Sequence, residues 1–194
     1  MNPDKNAIPT KLLWVDLEMT GLNPKEDVLL EIAVEVTDFN FKTLESYEAR
    51  FTQDYDTVVD RMQKNIWWRD YPANRDEFLN KLEEGEALKE IEQDMIALVG
   101  RHWNNEMAVL AGNSIYNDRL FIKQWLPELD LKLHYRMLDV SAFKVLMQGK
   151  YGQVFEKQDV HRAFDDIQAS IAELQNYLDF FNNKTDSNSH KLRA

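Results

Sequence analysis

The sequence predicts an α/β fold in which a mixed central β-sheet is flanked by α-helices. Three observations carry that prediction. Strand-like runs come first, apolar residues at helical spacing follow, and from residue 107 onward short strands alternate with helices. Residues 11–17 read KLLWVDL, a short apolar run with a charge near its end, as in a buried strand. The turn Thr20-Gly21-Leu22-Asn23-Pro24 follows. Residues 28–37 (VLLEIAVEVT) alternate apolar and polar in their later part, as a half-buried strand does. Residues 41–51 supply a third strand and complete an antiparallel meander. Over 58–100, Phe78, Leu82, Ile91, Met95, Ile96 and Val99 recur at helical spacing. Residues 107–111 (MAVLA) form a strand closed by Gly112, residues 115–126 an amphipathic helix ended by Pro127, and residues 135–140 another short strand. Residues 159–181 place Ala163, Ile167, Ile171, Leu174, Leu178 and Phe181 on one face of a long helix. One domain over 11–181 is expected, with polar, flexible tails at 1–10 and 182–194.

Composition removes several classes of function. The 194 residues carry 23 Lys and Arg against 34 Asp and Glu, a formal charge of −11. Such a balance disfavours a grip on long nucleic acid, which needs a basic stripe to displace counterions. It leaves room for an enzyme that handles short pieces through metal ions. Cysteine is absent, which excludes disulfides, thiolate catalysis and Cys-ligated zinc. The longest apolar runs, such as MIALV at 95–99, fall far short of the roughly 18 residues of a membrane span. The opening MNPDKNAIPTK has no apolar core of the secretory type. A soluble, cytoplasmic protein is the expectation.

The sharpest chemical feature is Asp16-Leu17-Glu18 at the end of the first strand. Side chains two apart on a strand share a face, about 6.6 to 6.8 Å apart along it. Two such carboxylates at the end of an apolar strand repel and lose hydration, which is costly unless a cation sits between them. Alone, D-x-E more often marks a strand end dipping into solvent. Further along, MAVLAGNSIYND sets Asn113 and Ser114 just after a strand and Asp118 in the first turn of a helix. Ligands gather at the carboxyl ends of strands in open α/β sheets, although an Asp in a first helical turn also suits the macrodipole. Third, His161 and Asp166 stand in HRAFDD, at the start of the long C-terminal helix.

In this order the three pieces resemble the DnaQ-like 3′–5′ exonucleases of the DEDD type with a histidine, a ribonuclease H-like fold. The stretches VDLEMTGL (15–22), GNSIYNDRLF (112–121), HYRMLDVS (134–141) and HRAFDDI (161–167) are similar to the oligoribonucleases within that class. The resemblance spans residues 11 to 181. It implies a single 3′–5′ exonuclease domain with Asp16, Glu18, Asp118 and Asp166 as ligands of two divalent cations. Carboxylate ligation suits Mg²⁺ or Mn²⁺. In a two-metal site one ion activates a water and the other steadies the leaving 3′-oxygen. His161 is then the general base.

The same resemblance makes Leu22 an apolar wedge against the bases, and Ser114 and Ser141 hydrogen-bonding partners of the substrate, Ser141 at its 5′-phosphate. It implies a homodimer in which Tyr135 and Arg136 reach the partner's site. Arg136 suits the role because a guanidinium holds a phosphate by two parallel hydrogen bonds. The implied substrate is very short RNA, 5′-phosphorylated dinucleotides above all, cut to nucleoside 5′-monophosphates. Two alternatives stand beside it: an exonuclease of the same fold acting on longer DNA or RNA, and a non-catalytic module that holds metal and nucleotide. One departure is visible. Where the family has a Trp and, a few residues on, a His, residues 63–78 hold Trp67, Trp68 and Tyr71 but no histidine. Either Tyr71 stands in for it or the loop is built differently, and these rings either stack on a base or belong to the core.

Overall fold

The computed structural model describes residues 8–104, 106–155 and 163–191, and for 183–191 the backbone alone. Five strands form one sheet in the order β3-β2-β1-β4-β5. β1 (Lys11–Met19), β2 (Leu29–Asp38) and β3 (Thr43–Arg50) make the antiparallel meander. β4 (Ala108–Gly112) and β5 (Leu133–Asp139) then run parallel to β1. The sheet is therefore mixed, with β1 at its centre.

Alternation along β1 decides what lies on each face. Leu13, Val15 and Leu17 point with Ile32, Val34 and Val36 toward one layer of helices. That layer is α4 (Leu88–Trp103), through Ile91, Met95 and Leu98, and α5 (Tyr116–Trp125), through Phe121 and Ile122. Leu12 and Trp14 point the other way, under α7 (Val140–Tyr151) and α8 (Ala163–Lys191). α8 covers them with Ala163, Ile167, Ile171, Leu174 and Tyr177. Asp16 and Glu18 continue the Leu12–Trp14 row, so they face α8. A third, smaller cluster sits beneath α1 (Tyr55–Lys64), α2 (Ile66–Asp70) and α3 (Pro72–Asn80), where Val58, Met62, Trp68 and Phe78 close over Val28 and Leu30.

Three local features differ from the reading of the sequence. β2 is buried on both faces rather than one, because each polar residue on its α8 side has a partner. Arg50 Nε donates to Glu31 at 3.0 Å, Trp14 Nε1 donates to Thr37 Oγ1 at 2.9 Å, and Thr43 and Gln168 both donate to Glu35. Val140, read as the end of a strand, instead opens α7. The Asp139 carboxylate accepts Ser141 N at 2.9 Å as its N-cap, and Gly152 ends the helix with φ +64°. The helical stretch of 58–100 resolves into α1–α3, a short 3₁₀ turn and α4, and Pro127 opens α6 (Pro127–Asp130) as well as following α5. No helix among the described residues is long and apolar enough to cross a membrane.

Two substitutions separate packing from backbone effects. Leu13→Ala opens a cavity at the centre of the sheet and should cost about 2–5 kcal/mol in urea unfolding. Gly152→Ala meets nothing within 4 Å, so its cost is the left-handed backbone alone, about 1–2 kcal/mol.

Candidate active site

The pleat of β1 and the first turn of α8 bring three carboxylates together. Asp16, Glu18 and Asp166, all half-buried, each offer an oxygen within 4.8 Å of the others. At an effective dielectric constant near 20, each like-charged pair at such a distance repels by roughly 3–4 kcal/mol. Asp166 gains some relief as an acid in a helix's first turn. A hard cation would cancel such repulsion, and an all-oxygen donor set fits Mg²⁺ or Mn²⁺.

Asp118 is not part of that group. It is buried in the first turn of α5, and its Oδ1 accepts Leu17 N at 3.1 Å. Burial is the main force on its proton, with the charge of Asp139 adding to it, and together they push the carboxyl up to about 7. His161 lies outside the described residues, as do residues 1–7 and 192–194 of the two tails.

Beside the triad, the turn after β1 holds Leu22 out into solvent at 74% exposure. Asp27 builds that turn: its carboxylate accepts Thr20 Oγ1 at 3.0 Å and Asn23 N at 2.9 Å. A Cβ at Gly21 would come within 2.6 Å of the Asp27 carboxylate, so a larger residue there would displace the side chain that braces the turn. A cavity of about 300 Å³ opens between this turn and α2, lined by Glu18, Leu22, Asn65, Trp67 and Trp68. The aromatic residues divide their work. Trp68 is core, 2% exposed, with Nε1 donating to Thr20 O at 3.1 Å. Trp67 lines the cavity and stacks on Tyr71 with ring centroids 4.8 Å apart.

Ser114 and Ser141 meet at the ends of β4 and β5, their Oγ atoms 2.9 Å apart. Ser114 takes a positive φ of 51°, which turns its N–H toward both Asp139 Oδ1 and Ser141 Oγ, each at 3.0 Å. Ser141 Oγ donates to Asn113 Oδ1 at 2.8 Å. Tyr135 and Arg136 are exposed on the edge strand β5, the guanidinium 5.3 Å from the tyrosine ring centroid. The sequence reading missed Asp139, whose Oδ1 accepts both Ser114 N and Ser141 N, and Glu173, whose Oε2 accepts Asn113 Nδ2 at 3.1 Å. Asp139-x-Ser141 was a legible helix-cap pattern. Glu173, one heptad after Asp166 and within an apolar arc, was the other available signal.

Known proteins resemble this chain over most of its length. The family model described as "Exonuclease" matches residues 13–174. A probable oligoribonuclease of Caenorhabditis elegans is 37% identical over 175 residues, 89% of each chain. An oligoribonuclease of Corynebacterium glutamicum is 39% identical, covering 90% of this chain and 81% of its own. A mitochondrial oligoribonuclease of Bos taurus is 32% identical, covering 96% and 80%. Among solved structures, exonuclease I from Methylocaldum szegediense superposes with a TM-score of 0.60 at 14% identity, over 84% of this chain and 39% of that longer one. At that identity the likeness is one of fold, the DnaQ-like, ribonuclease H-like arrangement.

The state of Asp118 gives a testable pH dependence. Its proton is held to about 7 in the folded chain against an ordinary 3.8, so between those values the folded state binds the extra proton. The contribution of Asp118 to stability without metal is then greatest below about 4 and falls as pH rises through about 7, opposite in sign to those of Glu45, Asp54 and Asp60, whose hydrogen bonds hold them below their ordinary values. Melting in EDTA should show the wild type losing stability relative to Asp118→Asn as pH rises from about 4 to 7. An equal slope in the variant would remove Asp118 as its source.

Proposed function

Because the chain belongs to the oligoribonuclease family of exonucleases, we propose that it is a metal-dependent 3′–5′ exoribonuclease. Its substrate on this reading is very short RNA, above all 5′-phosphorylated dinucleotides, and its products are nucleoside 5′-monophosphates. The observation that carries the reading is the carboxylate triad of Asp16, Glu18 and Asp166 on the α8 face of β1.

Two divalent cations, Mg²⁺ or Mn²⁺, would supply activation of a water and stabilisation of the leaving 3′-oxygen. Asp16, Glu18 and Asp166 would hold them, with Asp118 as a fourth ligand once its proton is lost. His161, five residues before Asp166, takes the proton of the attacking water. The water oxygen bonds to phosphorus, and the 3′-oxygen of the preceding nucleotide leaves with the electron pair and is protonated. Leu22, held out by the Asp27-braced turn, wedges against the bases, and the 300 Å³ cavity beside it takes the 3′ nucleotide. In place of the family's Trp and His, Trp67 backed by Tyr71 forms the aromatic wall.

Ser114 and Ser141 receive the 5′-phosphate. Their nearness at the strand ends supports a terminal stop that favours a two-nucleotide substrate. Tyr135 and Arg136, exposed on an edge strand, reach the partner's phosphate in a homodimer. The net charge of −11 agrees with recognition at one end rather than along a backbone. The rival reading, trimming of longer strands, draws on neighbours of the same fold bound to oligonucleotides.

Initial rates on RNAs of two, seven and twenty nucleotides decide between them. The dinucleotide should be cut fastest, and equal rates would remove the short-substrate reading. Turnover should vanish in EDTA. Asp16→Asn and His161→Ala should each lower kcat by at least about 100-fold with the fold intact. Arg136→Ala should raise KM while leaving the metal-induced rise in Tm unchanged.

A further inference from the structure

Glu173 on α8 is fully buried and is used by no step above. A buried carboxylate is costly unless hydrogen-bonded. Its Oε1 accepts the Tyr177 hydroxyl at 2.6 Å, with the Lys144 ammonium 3.9 Å away, and its Oε2 accepts Asn113 Nδ2 at 3.1 Å. A carboxylate only accepts, so it dictates which end of the Asn113 amide faces it. The same Nδ2 lies 3.4 Å from Ser170 Oγ, and Oδ1 is left directed at Ser141. Ser141 has one hydroxyl hydrogen and gives it to Asn113. In the serine pair, Ser114 must therefore be the donor. Direction thus runs from the buried charge to the surface through Asn113, Ser141 and Ser114. The hydrogen of Ser114 is the one that can turn to a phosphate oxygen without leaving Asn113 unsatisfied, since Ser141 Oγ keeps Ser114 N.

We propose that Glu173 is a positioning residue for recognition of the substrate's terminal phosphate, acting through Asn113 on Ser141 and Ser114. The inference rests on the reading of that serine pair given above. It adds a mechanical consequence. Asp166, Ser170 and Glu173 occupy positions i, i+4 and i+7 of one helix, and Ser170 Oγ also bonds Asp166 O at 2.8 Å. One rigid element therefore sets the separation between the carboxylate triad and the phosphate end.

The test compares kcat and KM for an RNA dinucleotide with and without its 5′-phosphate, in Mg²⁺, across variants whose Tm is measured in parallel. Glu173→Leu removes the acceptor and should raise KM for the phosphorylated dinucleotide about tenfold. Its KM for the unphosphorylated one and its kcat should stay near wild type. Glu173→Gln keeps an oxygen for Asn113 and should restore the preference. Asn113→Ala should reproduce Glu173→Leu, and it carries the test if Glu173→Leu fails to fold. In a Ser141→Ala background Glu173→Leu should add no further loss. The metal-induced shift in Tm should be the same in all. A wild type that treats the two dinucleotides alike overturns the reading of the serine pair and this inference with it. A wild type that discriminates, with Glu173→Leu or Asn113→Ala discriminating equally, overturns the inference alone. So does a loss that is equal on both substrates or that adds fully to Ser141→Ala.

Discussion

The contact on which the rest of this molecule depends is that of α8 with the polar face of β1 and β2. The face is unusual for a sheet interior, carrying Glu31, Glu35 and Thr37 beside Asp16 and Glu18. An apolar helix laid on it would strand those groups without water. α8 instead mixes its contributions. Ala163, Ile167, Ile171 and Leu174 fill the space over Leu12, Trp14 and Ala33, Gln168 reaches Glu35, and Asp166 joins the carboxylates at the strand end. The same register of helix on sheet thus secures the core and fixes the charge cluster. A shift by one helical turn would break both.

How much of this is legible in the sequence depends on how local each cause is. The D-x-E pair is legible because alternation along a strand is a two-residue rule. The meander and the parallel strands are legible because their apolar runs are short and bounded by turns. α7 escapes because its pattern is poor: Val145 and Leu146 are exposed at 72% and 44%, and only Val140 and Met147 among its residues are buried. What defines α7 is its caps, Asp139 and Gly152. The full burial of β2 escapes because its glutamates look like a solvent face until their partners on β3 and α8 are in place. Glu173 escapes most completely. Its partner Asn113 is 60 residues away in the chain, and no periodicity links a loop amide to a helix carboxylate at that range.

Several acidic groups among the described residues are relieved by ordinary means, as when Arg101 and His102 share Glu45, or when Glu92 accepts Glu128 N and Leu129 N at the start of α6. Asp118 is relieved differently, by keeping its proton. Burial raises its carboxyl to about 7, so near neutrality the charge at this position varies with its surroundings.

The register of β1 on β2 also separates the molecule into two ends. Glu18 lies opposite Glu31 at one end of the ribbon, and Lys11 lies opposite Asp38 at the other, about 23 Å away at the usual strand rise. The β2–β3 turn beyond Asp38 is self-contained, its Asn40 and Lys42 amides both satisfied by the Asp38 carboxylate. Phe41 pins it to Trp14, while Asn40 itself points outward. The tip at Asn40 is therefore a natural attachment point. A dye, a tether or a short inserted peptide placed there would leave the carboxylates and the serine pair untouched, provided Phe41 keeps its hold.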